Sequence, residues 1–105
     1  MKPKYPVLYL PTAEQDLVCI FDYIRRDSPS SAASFLDKMA RRIARLATFP
    51  LSGAVPKDPY LKQRGYRLLS FGNYLIFYKF EGRKVILYRI LHGKRRFEFL
   101  LDRTG

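Results

Sequence analysis

The sequence predicts an α+β domain in which a helical hairpin covers one face of an antiparallel sheet. Three observations predict it. Two amphipathic helical patterns follow one another across Ser28-Pro29, three aromatic-rich apolar runs follow them at strand spacing between glycine turns, and a short apolar run between two prolines precedes them all. With 105 residues, 48% of them hydrophobic, the chain fits a single domain over residues 1–105 that can bury a core without disulfide or metal staples.

Val7-Leu8-Tyr9-Leu10, between Pro6 and Pro11, has the length and the β-branched and aromatic content of a strand. Thr12 reads as a helix N-cap, with Glu14 and Asp16 as first-turn acids and Leu17, Ile20, Phe21 and Ile24 at helical spacing up to about Asp27. Ser28-Pro29 restarts the chain, the serine as cap and the proline at the first helical position, where its missing N–H costs nothing. The second apolar stripe is Phe35 or Leu36, Met39, Ala40, Ile43, Leu46 and Ala47, opposite Lys38, Arg41, Arg42 and Arg45. So short a turn makes the two helices an antiparallel hairpin, and Ala32, Ala33, Ala40 and Ala44 allow it to pack closely.

Pro50, Gly53, Pro56 and Pro59 punctuate a stretch with no sustained period, which reads as an ordered surface loop. Beyond it, turns at Gly72-Asn73 and at Glu81-Gly82-Arg83 divide three strands into a meander, into whose sheet the N-terminal strand pairs. Phe97 to Leu101 fits a short C-terminal helix. Cys19, among Leu17, Val18 and Ile20, is expected to be a small buried hydrophobe, and a lone cysteine excludes a disulfide framework.

The formal net charge is +11, and residues 60–105 hold 11 Lys/Arg against Glu81, Glu98 and Asp102. Such a field attracts phosphate backbones, acidic protein segments or anionic lipid without choosing among them. No apolar run approaches the length of a membrane span and the N-terminus lacks a signal-peptide core, so a cytoplasmic protein without a membrane partner is expected.

Conventional catalytic sets are missing from the sequence. His92, the one histidine, has no serine and carboxylate arrangement and no second metal ligand, so it reads as structural. Asp16, Asp22 and Glu98 offer no paired carboxylates, and no glycine loop would cradle a phosphate, so neither a metal nor another cofactor is expected. The remaining candidates are cationic. Arg67, Lys79 and Arg89 stand on defined sheet faces, and Lys94-Arg95-Arg96 cluster after the last strand beside His92. Arginines on a rigid sheet suit phosphate clamping, charge stabilisation during RNA cleavage, or pairing with acidic groups of a protein partner. Tyr66, Phe71, Tyr74, Phe77, Tyr78, Phe80 and Tyr88 offer base-stacking surfaces, but at strand period they read chiefly as core.

Taken in order, the helix segment Phe35-Leu36-Asp37-Lys38, the exit Arg45-Leu46-Ala47-Thr48-Phe49-Pro50, the strand pair from Arg67 to Tyr78 and the tail Leu87-Tyr88-Arg89-Ile90-Leu91-His92-Gly93 resemble the RelE/ParE toxin superfamily, closest to its ParE branch. The resemblance spans roughly residues 7–101 and implies the toxin of a bacterial type II toxin–antitoxin (plasmid stabilisation) module, neutralised by a cognate acidic antitoxin whose tail folds on binding. For the ParE branch it implies inhibition of DNA gyrase and growth arrest without enzymatic activity. For the RelE branch it implies metal-independent cleavage of mRNA on the ribosome.

On that alignment the basic pair after the last strand is kept, which carries Arg95 over as a phosphate-contacting residue, and a nuclease would draw on Arg67, Arg89, Lys94 and Arg95. Target or antitoxin binding would draw on Arg67, Arg89, His92, Lys94, Arg95 and Arg96. Elsewhere the nuclease pattern is lost: lysine positions read Tyr66 and Leu68, an arginine position reads Leu75, and the C-terminal tyrosine position reads Leu101. A one-residue slip would bring Arg67 near a lysine site but turn it to the opposite sheet face. The expectation is therefore a ParE-like gyrase poison, with the ribosome-dependent endoribonuclease as the alternative.

Overall fold

The computed structural model describes residues 4–93. The elements are β1 (Val7–Tyr9), α1 (Pro11–Arg25), α2 (Pro29–Ala44) running into a 3-10 turn (Arg45–Ala47), α3 (Pro59–Gln63), β2 (Arg67–Phe71), β3 (Tyr74–Glu81) and β4 (Lys84–His92). The expected C-terminal helix at Phe97–Leu101 lies outside the described residues.

Local chemistry explains most boundaries. Ser28 caps α2, its Oγ accepting from the Ser31 N–H at 3.3 Å with Pro29 in the first turn. The same arrangement recurs at α3, where Asp58 Oδ1 accepts from the Leu61 N–H at 3.1 Å and Pro59 follows. This helix interrupts the predicted loop; at five residues it is too short for a hydrophobic period to announce it. Helix α1 corrects a second expectation, because it begins at Pro11 after an extended Leu10, with no side-chain cap. Thr12 is inside the helix, and its hydroxyl donates to the Tyr88 carbonyl at 2.8 Å.

The sheet order is β1-β4-β3-β2, with β1 parallel to β4 and the other pairs antiparallel. It is mixed rather than wholly antiparallel, since β1 and β4 run the same way with the helical hairpin and two strands between them in sequence, and after Tyr9, which faces Leu87, the chain continues as α1 beside β4. At the β3–β4 turn, Gly82 and Arg83 both have positive φ, +60° and +59°, as the right-handed strand twist demands of a two-residue hairpin. A bulge follows: Phe77 faces Arg89 and Tyr78 faces Leu87, leaving Tyr88 as the extra residue. It shifts the alternation so that Leu87 and Ile90, three apart, both belong to the helix-side core.

That core joins Ala13 and Ile20 of α1, Met39 and Ile43 of α2, Leu46, and Leu69, Ile76, Tyr78, Val85, Leu87 and Ile90 of the sheet. Phe35 meets Phe71 and Tyr74 edge-on, closing its end. On the opposite face Leu61, Tyr66, Phe77 and Leu91 form a smaller cluster, flanked by Tyr60, Leu68, Leu75 and Tyr88. Two stripe assignments change. Cys19 is exposed, because the buried line of α1 runs through Ala13 and Ile20 and its apolar neighbour Val18 also faces outward. Ala40 and Ala44 are exposed too; they line an open groove of about 470 Å³ against Tyr5, Val7 and Tyr9. No helix among the described residues is long and apolar enough to cross a membrane.

Candidate functional site

The two strand arginines singled out by the sequence are held by internal bonds. Arg89 forms a two-pronged pair with Asp16 of α1, Nε to Oδ2 at 2.7 Å and Nη2 to Oδ1 at 2.8 Å. Its side chain is 17% exposed and that of Asp16 12%, so the pair is largely out of water, and hydrogen bonding to Asp16 raises the guanidinium above its ordinary pKa. Asp16 Oδ2 also accepts the Ile90 N–H at 2.9 Å. The Leu10 N–H donates to the Leu87 carbonyl at 3.0 Å and Thr12 Oγ1 to that of Tyr88, so after β1 ends, α1 supplies the next partners along the β4 edge. Asp16 and Thr12, one helical turn apart, thus act as a side-chain continuation of the strand.

Arg67 stands at the other side of the sheet. Its Nη1 donates to the carbonyls of Leu51 at 3.2 Å and Gly53 at 3.0 Å. Beside it the buried Tyr78 hydroxyl donates to the Pro50 carbonyl at 2.8 Å and accepts the Gly53 N–H at 2.9 Å, and burial pushes that phenol above its usual range. Ala54 and Leu68 exchange backbone bonds at 2.8 and 2.9 Å. The segment 50–54, read as punctuation in the sequence, is therefore clamped to β2 and β3. The sequence marked neither Tyr78 nor Gly53 as clamp residues, since the two lie 25 positions apart and only the fold brings them together.

His92 packs edge-on against Tyr74, ring centres 5.5 Å apart, at the end of β4. It borders a groove of about 590 Å³ with Asp16, Cys19, Tyr23 and Tyr74 among its walls. Tyr74 and Tyr78 mark the register positions of His92 and Arg67, so the two lie about 13 Å apart along the strand direction and on opposite sides of β3, and no common site joins them. Lys94, Arg95 and Arg96 lie outside the described residues. Lys79 lies over the rings of Tyr66 and Tyr88 at 4.6 and 5.0 Å. Among the described residues no group of three His, Cys, Asp or Glu is placed to hold a metal ion.

Further positive charge lies at the end of α2 and in the 3-10 turn that follows it. Arg41 pairs with Asp37 at 3.1 Å, whereas Arg42 and Arg45 make no ion pair among the described residues and wall a pocket of about 300 Å³ with Phe49, Ser52 and Leu69.

The sequence matches the family model described as the ParE toxin of type II toxin-antitoxin system, parDE, over residues 7–97. No curated protein sequence matches. Among solved structures, a chain of the chromosomal ParDE TA system from P. aeruginosa superposes with a TM-score of 0.71 at 18% identity, covering 85% of this chain and 96% of that one. A chain of the toxin-antitoxin complex RelBE2 from Mycobacterium tuberculosis gives a TM-score of 0.58 at 21% identity, covering 85% and 98%. Strand, helical hairpin and meander are the arrangement these chains share, and the match over nearly the whole length shows that this chain belongs to the ParE toxin family, the toxin side of a type II toxin–antitoxin system.

Proposed function

We propose that this toxin arrests growth in the cytoplasm by inhibiting DNA gyrase, without catalysing a reaction of its own, and that an acidic antitoxin neutralises it. The observation that carries this reading is the apolar second face of the sheet. The positions at which the resemblance places nuclease lysines and an arginine are Tyr66, Leu68 and Leu75, and all three belong to the cluster built on Leu61, Phe77 and Leu91. Tyr66 is 4% exposed and meets Tyr88 edge-on. Lys79 lies over the rings of Tyr66 and Tyr88 and Arg64 over that of Tyr60, but the three positions themselves offer no cation to the negative charge that builds on a phosphate during RNA cleavage. Arg89, a further nuclease candidate, already has its charge balanced by Asp16.

An extended antitoxin tail would find apolar footing in the open grooves beside α1 and α2, with the basic surface attracting its carboxylates. The test is a supercoiling assay with purified gyrase, with and without stoichiometric antitoxin. Loss of supercoiling with trapped cleavage complexes, reversed by antitoxin, is the expected result. Untouched gyrase together with codon-dependent cuts in a toeprint on translating ribosomes would replace this reading with the endoribonuclease.

A further inference from the structure

The outer edge of β1 is an open row of backbone groups. Parallel pairing with β4 uses alternate residues: the Val85 N–H donates to the Pro6 carbonyl, Leu8 faces Ile86, and the Leu10 N–H donates to the Leu87 carbonyl. Val7 and Tyr9 therefore point their N–H and C=O groups away from the sheet, and none of the described residues bonds them. Their side chains pack against the helix-side core, while Leu8 points to the opposite face and is 45% exposed. Beside this edge runs the groove of about 470 Å³, whose helical wall is Ala40, Ile43, Ala44 and Ala47. Ala40 and Ala44 are exposed, and their methyl groups let another backbone come close. Positive charge gathers at one end of the row: Lys4 lines the groove, Arg83 lies over the Tyr5 ring at 5.7 Å, and Lys84 precedes the Val85 that faces Val7. None of the three forms an ion pair among the described residues.

We infer that the antitoxin tail adds a strand to the outer edge of β1, pairing its backbone with Val7 and Tyr9, laying alternate side chains over Ala40 and Ala44, and setting carboxylates against Lys4, Arg83 and Lys84. The edge selects its occupant by form, before charge is counted. Whatever fills it must bring unsatisfied N–H and C=O groups of its own together with side chains at a spacing of two, as an extended chain does. Folded proteins cover or blunt their strand edges, so a folded target seldom has such a row to offer. A tail that is unfolded until it binds carries one along its whole length. A second copy of this chain could present β1 itself, but Pro6 and Pro11 confine the row to the four residues between them, and the copy would bring a like net charge of +11. The assignment rests on the antitoxin proposed above and not on gyrase.

The test is amide hydrogen exchange, read residue by residue by NMR on full-length toxin alone and on toxin co-purified with its antitoxin. In the free toxin the Val7 and Tyr9 amides should exchange far faster than that of Val85, which β1 already protects. Antitoxin should slow both by about 100-fold or more. Two variants, their thermal midpoints recorded, then measure affinity. Ala40→Glu/Ala44→Glu, which crowds the groove, should weaken antitoxin binding about 30-fold, and Lys4→Glu/Lys84→Glu about tenfold with a shallower salt dependence. Bound antitoxin that leaves the Val7 and Tyr9 amides exchanging as in the free toxin would overturn the inference, whatever the variants do. So would protection of these amides by gyrase in place of antitoxin, or by concentrating the toxin alone, which would give the edge to the target or to a second copy. Wild-type affinity in the Ala40/Ala44 variant would likewise overturn it by removing the groove from the interface. An antitoxin that fails to bind wild-type toxin at all would overturn the antitoxin reading itself, and this assignment with it.

Discussion

At one edge of the sheet Arg89 meets a carboxylate; toward the other, Arg67 meets only carbonyl oxygens. Both are strand arginines that the sequence offers as phosphate ligands, and both are held by contacts within the fold. The first seals α1 to β4 through an ion pair that also satisfies the Ile90 N–H. The second shares with Tyr78 the task of holding a loop, through hydrogen bonds alone. Removing one partner of an ion pair largely out of water leaves a buried charge, whereas removing the Tyr78 hydroxyl leaves at most unsatisfied dipoles. The two edges should therefore differ in how much their disruption costs.

The largest effect is expected at Asp16. Asp16→Ala strands the guanidinium of Arg89 and the Ile90 N–H together, and should lower the free energy of unfolding by about 3–5 kcal/mol in urea melts. Replacing both partners, as Asp16→Leu/Arg89→Met, should recover most of that loss, since the desolvated charge goes with the pair. A double variant as unstable as Asp16→Ala would mean that Asp16 acts mainly by receiving the backbone N–H. In the second region Gly53→Ala should cost about 1–3 kcal/mol, because the new methyl group meets Tyr78 and the Leu68 carbonyl, and strand backbone cannot give way as a side-chain tip can. Tyr78→Phe, which keeps the ring and removes the hydroxyl, should cost about 1–2 kcal/mol. If it equalled Asp16→Ala, the contrast between the two edges would be wrong.

The same contrast explains what the sequence let through. Ser28-Pro29, Gly72-Asn73 and Gly82-Arg83 carry their chemistry within a few residues, so the helical hairpin and the meander could be read directly. The family resemblance added the order of the pieces. Asp16 and Arg89 are 73 positions apart, and Asp16 looked like a first-turn acid because that is also what a helix N-terminus favours. Its partner lies directly after the bulge that leaves Tyr88 as the extra residue, and no local signal marks a bulge. Cys19 misled for a related reason. Apolar neighbours in sequence share a face in neither helix nor strand, so Leu17 and Val18 carried no information about its burial.

Alkaline pH should separate the two regions without any substitution. Burial raises the phenol of Tyr78 above the ordinary value of 10.0, while the Arg89 guanidinium, raised by its hydrogen bond to Asp16, stays charged throughout. Above pH 10 the unfolded chain releases the Tyr78 proton before the folded one does, so the folded state binds more protons and stability falls with pH. The contribution is fully present below 10 and is lost as the pH rises through the raised folded value. A phenolate can still accept the Gly53 N–H but can no longer donate to Pro50. Urea midpoints of wild type and Tyr78→Phe, measured from pH 8 to pH 11, should therefore converge above 10, with the residual gap under about 1 kcal/mol. Tyr9, Tyr74 and Tyr88 are raised as well, and burial is the leading cause in each, so both proteins will lose stability together as they titrate. Only the convergence reports on the clamp, and curves that stay parallel would show that Tyr78 holds the loop by its ring and not by its proton.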